Sequence, residues 1–156
     1  MHGVTAARTA AALAWALAVV SWLAGCSGVS AAKGSPVPAS AISRLTAIAS
    51  RAATENGDSA PAWVTAVLTT HAKALTSATP GDFVPGSGGV PVFLVTMRGK
   101  FTDYAASGPP GAAAPTGRYL SIVVDAKTFQ VMDFGLSPNP PPVSPASLGP
   151  VTYLRT

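Results

Sequence analysis

The 156-residue chain predicts an α+β fold of two layers, one amphipathic helix packed on a small antiparallel sheet, after a leader and a flexible tether. Three observations predict it. Residues 41–55 place apolar side chains at helical spacing. Residues 62–70, 91–97, 118–124 and 129–134 are short runs rich in β-branched and aromatic residues, bounded by Gly, Pro or Asp. The Pro- and Gly-rich stretches at 80–89, 105–117 and 136–150 read as irregular connections.

The leader spans residues 1–25. Arg8 is the positive charge of a short basic segment, and residues 9–22 (TAAALAWALAVVSW) are apolar apart from Thr9 and Ser21. A small-residue site follows at once. That order is the pattern of a secretory signal. A retained transmembrane helix is the competing reading. Crossing a bilayer takes about 20 apolar residues, and residues 9–24 fall short of that.

Leu23-Ala24-Gly25-Cys26 resembles the bacterial lipobox. The resemblance implies thioether attachment of diacylglycerol to Cys26 and cleavage between Gly25 and Cys26. Cys26 is the chain's single cysteine, so no disulfide within the chain competes for it. A thiolate is the soft nucleophile that alkylation needs. Two acyl chains anchor stably where a single chain is marginal. The implied location is the outer face of the cytoplasmic membrane, reached through covalent lipid.

Residues 26–40 are small and polar, with Pro36 and Pro38, and read as the tether. In the helix 41–55, Ile42, Leu45, Ile48, Ala49 and Ala52 share one arc, with Arg44 and Arg51 opposite. Ser40 is the expected N-cap, and Asn56-Gly57 the expected stop. The strand 62–70 aligns Val64, Ala66 and Leu68 on one face. Residues 71–78 are expected to be a short helix, and 80–89 a Pro/Gly loop. Residues 91–97 (PVFLVTM) give the clearest strand, continuing past a kink at Gly99 to Phe101. Residues 105–117 form a long loop. Strands 118–124 and 129–134 make a hairpin, its turn held by Asp125 accepting amide hydrogen bonds. The tail, 136–156, is Pro-rich, with a polyproline II stretch and an edge strand expected at 151–154.

Residues 41–135 resemble the PepSY family of small domains in propeptides and cell-envelope proteins. A helix precedes a strand, Pro91-Val92-Phe93-Leu94-Val95 matches the aromatic-aliphatic strand, and Val123-Val124-Asp125-Ala126-Lys127-Thr128 matches the closing hairpin. The family places Gly after that Thr, where this chain has Phe129. Gly suits a positive φ that Phe disfavours. The resemblance implies a non-catalytic domain that binds or inhibits proteases, with an envelope protein or protease as partner. A structural envelope lipoprotein without a specific ligand is the alternative.

The chemistry-bearing residues do not assemble into an active site in the sequence. His71 is the only histidine after cleavage, and is expected in a surface or capping role. Its placement against a buried carboxylate in a cleft would instead favour a hydrolase. The mature carboxylates, Glu55, Asp58, Asp82, Asp103, Asp125 and Asp133, show no spacing that suggests a catalytic pair, and Asp58, Asp82, Asp103 and Asp125 adjoin turn signals. No Ser lies in a G-x-S-x-G elbow, no phosphate-cradling Gly-x-x-x-x-Gly-Lys occurs, and no cofactor or metal set is expected. The mature chain carries nine basic against six acidic residues, a net +3, scattered rather than clustered; nucleic acid is not an expected partner. Of the aromatic residues, Tyr104, beside the long loop, is the one expected on a binding surface.

Overall fold

The computed structural model describes residues 34–81, 86 and 88–156. The leader, the Leu23–Cys26 tetrapeptide and most of the tether lie outside the described residues, as does Asp82. The elements in chain order are α1 (Ala39–Glu55), β1 (Trp63–Thr70), α2 (His71–Ala78), β2 (Pro91–Thr102), β3 (Thr116–Asp125), β4 (Val131–Ser137), α3 (Pro145–Leu148) and β5 (Thr152–Leu154). The five strands form one antiparallel sheet in the order β4-β3-β2-β1-β5. The α+β class predicted by the sequence is the fold observed. No described helix is long and apolar enough to cross a membrane.

α1 packs on one face of the sheet. Leu45, Ala49 and Ala53 are fully buried against Val64, Ala66, Phe93, Val95, Met97, Leu120, Ile122 and Val124. The alanines let the helix axis approach the sheet closely, and Met97 and Phe101 fill the space beneath. Burying one such large side chain contributes about 1.5–3 kcal/mol. The helix start differs from expectation. Its N-cap is Pro38, no side chain caps it, and Ser40 lies inside the first turn. The extended backbone of Pro38 supplies the cap carbonyl, which accepts from the Ala41 N–H at 2.9 Å. Val37, just before the cap, and Ile42, four residues after it, both join the core, a hydrophobic staple that fixes the chain's entry. Packing therefore begins upstream of residue 41. The stop is as expected: Asn56 is the C-cap, and Gly57 takes φ +83°.

The second face is also covered. Val92, Leu94 and Val123 pack with Ala74 of α2, and with Ala78, Val90 and Leu148. β2 is thus buried on both sides, which explains its unbroken apolar run. The Pro-rich segment after β4 has a defined task. β4 and β5 occupy opposite edges, so residues 138–151 must cross the sheet, about 19 Å at the usual strand spacing. Extended prolines suit such a strap, because they need no hydrogen bonds from neighbours. α3, a single turn not foreseen from the sequence, lies within it. The Ser77 hydroxyl donates to the Val143 carbonyl at 2.7 Å and pins the strap to α2.

Candidate functional site: an aromatic groove beside the open edge strand

Among the described residues β4 pairs only with β3, which leaves its other edge open there. The register shifts between Val123 and Val124, because Asp133 opposes Val123 while Val131 opposes Val124. Met132 is the extra residue of this bulge. The shift keeps Val131 on the α1 side of the sheet together with Phe134 and Leu136. Leu136 packs in part against the core, whereas Val131 is 52% and Phe134 38% exposed. Met132 is exposed as well.

The two ends of α1 each approach this side of the sheet. Arg44, near the start of α1, lies 4.1 Å above the Phe129 ring, and Glu55, at its end, lines a groove with Phe134. From Arg44 to Glu55 α1 rises about 16 Å. From Phe129 to Phe134 the strand advances about 17 Å. The groove at the Glu55 end measures about 510 Å³ and is lined by Glu55, Asn56, Asp103, Tyr104, Ala105 and Phe134.

Local structure sets each wall. The Thr102 N–H donates to the Asn56 carbonyl at 2.8 Å, tying the end of β2 to the helix stop. The Asp103 carboxylate accepts from the Ala105 N–H at 3.0 Å and turns the chain around Tyr104. The Tyr104 ring then lies over Gly57, where a Cβ would sit 3.0 Å from the tyrosine hydroxyl. Tyr104 is 69% exposed, at the rim of the groove, where the sequence placed a binding surface.

The other candidate residues fall elsewhere. His71 is not at the surface: its side chain is 3% exposed, and Nε2 lies 2.6 Å from Asp133 Oδ2, whose side chain is 26% exposed. That corrects the expected surface or capping role. α2 begins directly where β1 ends, which turns His71 inward over the sheet toward β4. The distance suits a pair in which a carboxylate orients an imidazole. The imidazole is sealed from solvent, however, and the pair ties α2 to the edge strand. Asp58 accepts from the Ala60 N–H at 3.1 Å and the Lys100 N–H at 2.7 Å. Asp125 accepts from the Thr128 N–H (2.7 Å), the Lys127 N–H (2.9 Å) and the Thr128 hydroxyl (2.9 Å). These bonds hold its carboxyl below the ordinary carboxylate range, the Thr128 amide contributing most. Among the described residues, no three His, Cys, Asp or Glu side chains converge as a metal would require.

The sequence pointed to exposure of Tyr104, which is observed, but not to that of Phe134, Val131 and Met132. Their apolar character was visible; their exposure was not, because it depends on β4 being the last strand on its side.

Comparison with protein-family models, with curated proteins and with solved structures finds no match.

Proposed function

We propose that this chain is an exported lipoprotein, cleaved before Cys26 and anchored by lipid on that residue, whose folded domain is a non-catalytic binding module. The single observation that carries the binding role is the open β4 edge, with Val131 and Met132 exposed along it and Phe134 sharing a groove with Tyr104. An unpaired strand edge offers backbone hydrogen bonds to an incoming strand, and exposed apolar side chains along it supply specificity. The occupant we assign is an extended segment of an envelope protein. Glu55 and Asp103 on the groove wall favour a basic side chain in that segment, set between Tyr104 and Phe134. The burial of His71 supports a non-catalytic reading, because a general base must reach the proton that it removes. The PepSY resemblance draws support from the Asp125–Phe129 turn, which takes a positive φ where the family has its glycine.

Site-specific photo-crosslinking in the bacterial membrane tests the binding role. A photoreactive residue replacing Phe134 or Tyr104 is expected to yield a discrete adduct, and one replacing Tyr153, on the opposite edge, is not. Equal labelling from all three positions, or from none, overturns it. The anchor is tested separately by the intact mass of the membrane-extracted protein and of its Cys26→Ser variant. The wild-type mass should include the diacylglycerol and lack residues 1–25. Fractionation of the variant with membranes at the processed size overturns the anchor.

A further inference from the structure

At the end of the sheet remote from α2, the β2–β3 ladder carries a second irregularity. Arg98 opposes Tyr119 and Phe101 opposes Gly117, so Gly99 and Lys100 together face Arg118. Bulges of this kind re-aim side chains and recur beside functional sites. Here the bulge places two cations directly across a strand pair, an arrangement that is destabilising when uncompensated. Arg98 adds a third, and all three are exposed around one cleft of about 520 Å³.

The carboxylate within that cleft forms no salt bridge with them among the described residues. Asp58 spends one oxygen on the Ala60 N–H and the other on the Lys100 N–H. It lies directly over Gly99, where any Cβ would strike its Oδ2. Its work is to hold the bulge. Arg98, Lys100 and Arg118 form no ion pair among the described residues. Beside them stand Trp63 and Tyr119, strand partners of Arg98 on either side, with ring centroids 6.3 Å apart.

We infer that this cleft is an oxyanion-binding site, separate from the β4 groove, for a ligand bearing a phosphate or carboxylate. Two guanidinium groups and one ammonium on a ladder fixed by Asp58 give charge-assisted, bidentate donors, the chemistry that recognises such anions. The ring pair, tilted 59° to one another, offers an adjoining apolar surface for the ligand body.

The test is titration of the full chain with inorganic phosphate, followed by amide NMR at constant ionic strength. The chain is held either in neutral phosphatidylcholine nanodiscs or in discs containing phosphatidylglycerol. Saturable shifts at Gly99, Lys100 and Arg118 are expected, weakened about tenfold in Arg118→Gln and unchanged in Phe134→Ala. Equal behaviour in both discs supports a soluble ligand. Saturation lost only in the anionic discs keeps the oxyanion site but assigns the lipid headgroup to it. Shifts that never saturate, or that Arg118→Gln and Lys100→Gln leave unaltered, overturn the site.

Discussion

The Arg44 guanidinium lies 4.1 Å above the ring of Phe129, and so joins the first turns of α1 to the tightest turn of the sheet. Phe129 is the only described non-glycine residue at positive φ, +63°. Its ring also stacks on Phe93, with centroids 5.7 Å apart at 30°. A left-handed conformation costs an L-residue roughly 1–2 kcal/mol. Ring packing and the contact with Arg44 offset that cost, the latter by about 0.5–2 kcal/mol. Two replacements separate the opposing effects. Phe129→Ala loses the packing and keeps the strain, whereas Phe129→Gly loses the packing and relieves it. Both should be less stable than wild type in urea unfolding, with Phe129→Gly the more stable of the two by about 1 kcal/mol. If the alanine variant proves equal or better, the turn is not strained as described.

The His71–Asp133 pair should matter to stability rather than to chemistry. It connects the first residue of α2 to the middle of the edge strand at 2.6 Å. A hydrogen bond to a charged group contributes about 1.5–3 kcal/mol. Asp133→Ala is expected to destabilise by that amount, and Asp133→Asn by less, since an amide oxygen still accepts. Hydrogen exchange should quicken in α2 and β4 while β2 stays protected. Uniform loss of protection across the sheet would argue against a local tie.

α2 sits so close to β4 that Gly135 has no room for a side chain. A Cβ there would collide with the Ala78 carbonyl and press on Thr79 Cγ2 at 3.3 Å. The obstacle is helix backbone, which cannot rotate away as a flexible side chain would. Gly135→Ala is therefore expected to cost about 1–3 kcal/mol, the usual range for overpacking, and Gly135→Val more. Thermal melts that leave Gly135→Ala within 0.5 kcal/mol of wild type would show that α2 moves freely on the sheet.

These features were unequally legible. Helix α1 could be read because Ile42, Leu45, Ile48 and Ala52 repeat at one period, and the Asp125 turn because an aspartate needs only near neighbours to form it. The run Val92–Met97 held a further clue. A strand apolar at four successive positions, Val92 to Val95, is covered on both faces, yet no sequence pattern said by what. The cover includes α2, α3 and the proline strap, and the strap's path follows from β5 crossing to the far edge. His71 looked superficial for the same reason, since its partner lies 62 residues away on a strand whose position is set by the whole sheet. Ser40 was misplaced as a cap because Val37, four residues before the predicted helix, is drawn into the core and pulls the helix start back.

The Asp125 carboxylate gives the fold a pH dependence of definite sign. Its folded-state pKa is lowered, first by the Thr128 amide, then by the Thr128 hydroxyl and the Lys127 amide. The folded protein therefore binds this proton less readily than the unfolded chain. The stabilisation is fully present above the ordinary aspartate range, near pH 4, and is lost as pH falls through the depressed folded value. Neutral pH should show no change, because the group is ionised in both states there. Asp125→Asn keeps one acceptor oxygen but removes the charge, and with it this titration. The stability difference between wild type and Asp125→Asn should be constant from pH 5 to 8 and shrink as acid is added below pH 4. Urea midpoints across that series measure it directly. A difference that grows in acid would reverse the assigned sign and place the origin of the effect outside the turn.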